Sequence, residues 1–212
     1  MSFSKLFHAD NRPTGLGGDV LEQFEEKGLA LKSPEFTSFM RTYSGCSFNN
    51  GIYRVHEVRE LEKWTNVCTE VFPQHKGRFL CFSSNWVGQQ FALDFTEVVD
   101  GEFQILLLDP GESEAYEVPY GFSNFHDVGL SSHPEGALET ELYQEWLESG
   151  GAVPKRDECA SFIVPAVLGG DFEIENLEIC DMEVYWGLSG QILEQTRDLP
   201  PGTVIGDVNI SE

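Results

Sequence analysis

Residues 77–122 constrain the fold more than any other part of the chain. GRFLCF (77–82), QQFALDF (89–95), EFQILLLDP (102–110) and AYEVPYGF (115–122) are short apolar or alternating runs. They are separated by SSNWVG, Asp100-Gly101 and GESE. Runs of this length with alternate apolar positions read as strands, and Asp-Gly between two of them is a strong tight-turn signal. Short connections leave each strand no partner but its neighbour in sequence, so the stretch is read as a four-strand antiparallel meander. Strands of one meander still need cover. Helical periodicity supplies it at 33–44, 57–71 and 181–197, and Phe91, Leu93 and Phe95 are expected to face those helices. The fold class is therefore α+β: an antiparallel or mixed sheet, built on a four-strand meander and flanked by helices.

Within 33–44, Ser33 can cap, Pro34 takes the first helical position and Phe36, Phe39, Met40 and Tyr43 form one apolar stripe. GGDVLEQFEEKG (17–28) suggests an earlier helix, with Val20, Leu21 and Phe24 on one face. GIYRV (51–55) reads as a strand. HPEGALETELYQEWLES (133–149) reads as one helix burying Ala137, Leu138, Leu142, Tyr143 and Trp146. DFEIENLEIC reads as an acidic loop, and TVIGDVNI (203–210) as a last strand. Gly187, Ser189 and Gly190 would let the final helix sit close to the sheet. No repeat or linker divides the chain. The expectation is a single domain over 1–212, with a helical part at 1–48 and the main body at 51–210.

NWVGQQFALDF (85–95) could be a binding site or a turn feeding a strand. Asn85 and Gly88 are turn residues, and Trp86 is expected to close the end of the core with its N–H bonded. Side chains alternate along a strand, so one of Gln89 and Gln90 is expected to point outward.

Composition matters through charge. The 212 residues carry 36 acidic against 13 basic side chains, a net charge of −23. Residues 79–196 hold 23 of the acids and only two bases, Lys155 and Arg156. Such a surface repels nucleic acid and anionic membranes and attracts cations or a basic protein. No apolar run is long enough to span a membrane. MSFSKLFHADNRP has neither an apolar core nor a small-residue cleavage site, so no secretory signal is expected. The five cysteines are scattered, without CxxC or a Cys/His cluster, and read as reduced thiols of a cytoplasmic protein.

Tests for chemistry return little. GxGxxG and GxxxxGK[ST] are missing, and GLSGQ (187–191) lacks the spacing of a nucleophile elbow. His126-Asp127 could place an imidazole and a carboxylate on one metal ion, but HxxxH, HxH and HExxH are all missing. His56 reads as a turn or capping residue. The expectation is no catalytic residue, no metal and no cofactor. Two alternatives stay open: a sensor binding a small ligand beside Trp86 and Gln89, and a metal hydrolase using His126 and Asp127.

Three blocks together resemble a known family. They are GIYRVHEVRELEKW (51–64), NWVGQQFALDF (85–95) and NLEICDMEVYWGLSGQIL (176–193). They are similar to the SUKH superfamily of bacterial immunity proteins, and within it to the GAD-related, Tdi-type family paired with type VI secretion DNase toxins. The resemblance implies a SUKH-like α+β fold, no enzymatic activity and a cytoplasmic protein that binds and neutralises a toxin. It transfers no contact residues. Charge then suggests a basic toxin, a nuclease, held by two acidic segments. One runs from Asp100 to Glu114, with Asp100, Glu102, Glu112 and Glu114. The other runs from Asp171 to Glu178, with Asp171, Glu173, Glu175 and Glu178 alternating with Phe172, Ile174 and Leu177.

Overall fold

A computed structural model describes residues 3–14 and 33–200, with positions 203, 205, 208 and 210 beyond them. The helix expected at 17–28 and most of the strand expected at 203–210 lie outside the described residues.

The main sheet has six strands in sequential order, all antiparallel. They are β1 (Ser47–Phe48), β2 (Tyr53–Val55), β3 (Phe79–Asn85), β4 (Gln90–Val99), β5 (Glu102–Asp109) and β6 (Glu114–Gly121). The meander is thus present, extended at one edge by β2 and by β1, which the sequence did not signal. Asp100 and Gly101 both take positive φ, 53° and 84°, as a two-residue hairpin turn requires. A separate hairpin pairs β7 (Glu158–Phe162) with β8 (Leu177–Asp181). That second sheet takes up the end of the stretch read as an acidic loop, so Glu178 stands on a strand.

Helices cover both faces of the main sheet. On one face, Phe91, Leu93 and Ile105 join a core with Phe36 and Met40 of α2 (Pro34–Tyr43) and with Phe122, Phe125 and Leu130 of the helical stretch after β6. Phe3 of α1 (Phe3–Leu6) closes that core with Phe7, each ring lying within 6.4 Å of Phe48 and Tyr53. On the other face, Cys81, Ala92, Leu106 and Leu108 meet Trp64 and Cys68 of α3 (Leu61–Val71) and Tyr185 and Trp186 of α5 (Met182–Thr196). The expectation that Phe91, Leu93 and Phe95 face all three helices is therefore corrected. Only α2 shares their side. The 3.6-residue periodicity identified the helices but could not assign them to a face.

The helix expected over 133–149 is broken. Glu139 adopts φ 48°, ψ 53° and separates Glu135–Leu138 from α4 (Thr140–Glu148). Ala137, Leu138 and Tyr143 are buried as expected, while Leu142 and Trp146 are only partly covered. Gly190 brings α5 against α3 rather than the sheet: a Cβ there would lie 3.2 Å from Val71 Cγ2, whereas one on Gly187 would meet open space.

Double cover explains the NWVGQQFALDF stretch. Gln89 and Gln90 are both buried, correcting the expectation that one points outward. The Gln89 amide donates to Asp109 Oδ2 at 2.5 Å and its Oε1 accepts from Asn85 Nδ2. Gln90 Oε1 lies 2.6 Å from His56 Nε2. Gly88, at φ 89°, lets the turn touch the second hairpin, for a Cβ there would sit 3.0 Å from Cys159 Sγ. Trp86 is fully buried, and its Nε1 donates to the Leu138 carbonyl at 2.9 Å.

Candidate functional site

Several elements converge beside the β7–β8 hairpin. The turn between β5 and β6 packs on it, because a Cβ on Gly111 would lie 3.5 Å from Phe162. Phe162 in turn meets Phe172 with ring centroids 4.7 Å apart. The short helical turn Ile174–Asn176 packs against α4. Asn176 ties the connecting segment together. Its amide nitrogen donates to the carbonyls of Val164 and Asp171, and its oxygen accepts from Val164 N at 2.9 Å. The segment between β7 and β8 is thus a fastened surface that presents Ile163, Val164 and Phe172 at 52%, 42% and 41% exposure.

Around these apolar side chains the charge is negative. Asp171, Glu173 and Glu175 are exposed on the segment, and Glu178 is exposed on β8. Glu112 and Glu139 add to them from the β5–β6 turn and the break before α4. Burial, reinforced by Glu135, Asp109 and Glu112, pushes the Glu139 carboxyl up to about 7. Burial also raises Asp109, against the opposing bond from Gln89. Burial is the main cause for Glu139, and the neighbouring carboxylates add to it. The arrangement can accept Lys or Arg side chains around a small apolar centre, a usual composition for a protein interface.

The structure divides the acidic residues proposed from sequence. Asp171, Glu173 and Glu175 share one segment, Glu178 follows on β8, and Glu112 lies on the turn packed against Phe162 of β7. Glu114 is exposed at the start of β6, beside that turn. Asp100 and Glu102 stand at the opposite end of the eight-residue β5, about 25 Å away at the usual rise per residue. They do not join the same patch. Glu102 is also spent internally, accepting from Ser123 N at 2.7 Å and Oγ at 2.6 Å, and Asp100 accepts from Asn124 Nδ2. Glu135 and Glu139 escaped the sequence reading because a continuous helix would have spread them along a solvated face.

The groups considered for other chemistry are occupied. His126 Nε2 contacts the Tyr53 hydroxyl at 3.0 Å and Nδ1 the Phe122 carbonyl at 2.9 Å, while Asp127 accepts from Phe3 N. Among the described residues, no three His, Cys, Asp or Glu are grouped to hold a metal ion. His56 is buried and stacked on Trp64 at 5.2 Å, not a turn or capping residue. Trp86 and Gln89 spend their polar atoms on Leu138, Asp109 and Asn85, so the place considered for a sensor ligand is filled by the protein itself. A surface groove of about 500 Å³ lies instead between α3 and α5, lined by Val67, Glu70, Trp186, Gly187 and Arg197 among others.

Residues 125–193 match the family described as T6SS immunity protein Tdi1, C-terminal. The resemblance to type VI secretion immunity proteins stands. The matched segment contains α4, the β7–β8 hairpin and nearly all of α5, and so most of the acidic and apolar face; the β5–β6 turn lies outside it. No curated protein matches the chain. Among solved structures, the chain is similar to Atu4351 from Agrobacterium tumefaciens, with a TM-score of 0.60 and 12% identity over 88% of this chain and 86% of that one. At that identity the likeness is one of fold, and it covers most of the chain rather than residues 125–193 alone. Among the described residues, no helix is long and apolar enough to cross a membrane.

Proposed function

We propose that this immunity-type protein is a non-enzymatic, cytoplasmic inhibitor that neutralises a basic cognate toxin, a nuclease, by covering the surface with which that toxin grips nucleic acid. The observation that carries this reading is the face around Phe172. Exposed apolar Ile163, Val164 and Phe172 share the segment after β7 with exposed Asp171, Glu173 and Glu175, with Glu178 following on β8 and Glu112 on the neighbouring β5–β6 turn, in a chain without Lys or Arg between Arg78 and Lys155. Nucleases bind phosphates through Lys and Arg, so a carboxylate surface of matching shape competes directly with DNA. The same charge keeps the protein itself off nucleic acid. Long-range attraction accelerates the encounter, and salt slows it.

The test is co-expression with a candidate nuclease toxin of type VI secretion, reading survival and complex formation. Glu173→Lys with Glu175→Lys should abolish protection while the circular dichroism spectrum and melting temperature stay unchanged. Asp100→Lys with Glu102→Lys should leave protection intact, since those residues lie at the far end of β5. Equal loss from both pairs would reduce the effect to overall charge. No loss from either would move the interface elsewhere.

A further inference from the structure

Four of the five cysteines fall into two neighbouring pairs, Cys68 with Cys81 and Cys159 with Cys180. The first pair is buried between α3 and β3. The second differs. Cys159 and Cys180 stand directly opposite each other in the β7–β8 register. The bonds Met182 N to Asp157 O and Ile163 N to Asn176 O, both 2.8 Å, set the phase of that ladder. They place Cys159 and Cys180 at a hydrogen-bonded position, where opposite Cα atoms lie about 5.5 Å apart. Disulfides span Cα separations of about 4.4–6.8 Å, so the Cα spacing suits a bond, and the wider Cβ spacing of a hydrogen-bonded pair requires the two strands to draw slightly together. The pair is also asymmetric. Cys159 is fully buried against Gly88, whereas Cys180 is half-buried on β8, which pairs only with β7.

We propose that Cys159 and Cys180 form a modification site, a dithiol that peroxide converts to an intramolecular disulfide across the hairpin. The Cys180 thiolate attacks one peroxide oxygen and the O–O bond breaks. The departing hydroxide takes up a proton and leaves as water, and Cys180 becomes a sulfenic acid. The Cys159 sulfur then attacks the Cys180 sulfur and displaces hydroxide, which leaves as a second water with the Cys159 proton. Two thiols are oxidised and one peroxide is reduced to two waters. The ionisation order suits these roles. The hydrogen bond from Cys159, with a second from Ser161, brings Cys180 down to about 7 against burial and the nearby Glu178 and Asp181. The same thiol contact and burial hold Cys159 well above its ordinary value, with Asp181 adding to the rise and Arg54 opposing it. Cys180 is therefore the attacking sulfur and Cys159 the resolving one. The product bond would close the base of the segment bearing Phe172, but the chemistry does not depend on what that segment binds.

The experiment treats the full-length, reduced protein with hydrogen peroxide at neutral pH and maps it after trypsin. No Lys or Arg lies between Arg156 and Arg197, so one tryptic peptide carries both cysteines. It should lose two hydrogens and resist alkylation until dithiothreitol restores both thiols. Peptides with Cys46, Cys68 and Cys81 should stay reduced. In Cys159→Ser, Cys180 should accumulate as a sulfenic acid that dimedone traps. In Cys180→Ser, Cys159 should stay unmodified. A wild-type peptide that remains reduced, gains oxygen, or links two chains would overturn the proposal. So would oxidation of Cys159 at an undiminished rate in Cys180→Ser.

Discussion

Trp86→Ala is the sharpest test of how the sheet is closed. The indole is 0% exposed, lies 4.7 Å from the Tyr143 ring and 6.4 Å from Trp146, and donates through Nε1 to Leu138 O. Truncating a buried Trp costs about 3–5 kcal/mol through lost burial and the cavity that remains. The orphaned Leu138 carbonyl adds roughly 1 kcal/mol unless water reaches it. A loss of about 5 kcal/mol is a large part of the ~5–15 kcal/mol that holds a typical domain. In urea, with a slope of about 2.5 kcal/mol/M, the midpoint should fall by about 2 M at unchanged slope. Trp86→Phe retains most of the ring and loses the bond, and should cost about 1–2 kcal/mol. A Trp86→Ala midpoint within about 0.3 M of wild type, with native circular dichroism, would refute the reasoning. If that stable variant also failed to bind the toxin, the ring would be an interface anchor.

Arg78→Ala should cost about 3–5 kcal/mol at pH 7, because it strands a buried carboxylate. Asp94 is fully buried and takes two bonds from Arg78 Nε, at 3.0 and 2.9 Å, and two from Thr96. Burial pushes the Asp94 carboxyl up, but those bonds outweigh it and hold it below its ordinary value. Wild type therefore loses this contribution as pH falls through the folded value, whereas in Arg78→Ala the lone buried acid should make the deficit shrink toward pH 5; urea midpoints at both pH values check the sign. Burial also lowers His126 to about 4 and His56 to about 3. Each stays neutral in the fold while the unfolded chain protonates near 6.5, so each should remove about 1.4 kcal/mol of stability per pH unit below that point. His126→Asn should flatten the acid limb by one such increment between about pH 6.5 and 4, and an unchanged slope would place its titration elsewhere.

The meander was legible because its signals are local: alternation, an Asp-Gly turn and short connections. What stayed hidden depends on partners far along the chain. Gln90 reads as an outward strand residue until His56, 34 positions away, is seen to meet it beneath α3. Asp94 looks like the solvent side of an alternating run until Arg78 is placed across from it. When both faces of a sheet are covered, alternation no longer separates inside from outside. The acidic face was half visible. Alternation of charge with Phe172, Ile174 and Leu177 pointed to 171–178. The length of β5 could have warned that Asp100 and Glu112 stand too far apart to act together. Nothing in EGALETELYQ, however, announces the left-handed Glu139 that turns two more carboxylates toward the patch.

Sequential strand order also bears on how the chain is made. Each strand pairs with the one just before it, so the sheet can assemble as it leaves the ribosome, by local contacts that close quickly. Its first face can be covered early, by α2 and the helices after β6. The second face is completed only by α5, which follows all six strands of the main sheet. Until then Ala92, Leu106 and Leu108 remain partly bare, and a nascent chain stalled before residue 180 would expose an adhesive surface. The last third of the chain therefore carries both the proposed contact face and the lid that shields the second face of the sheet.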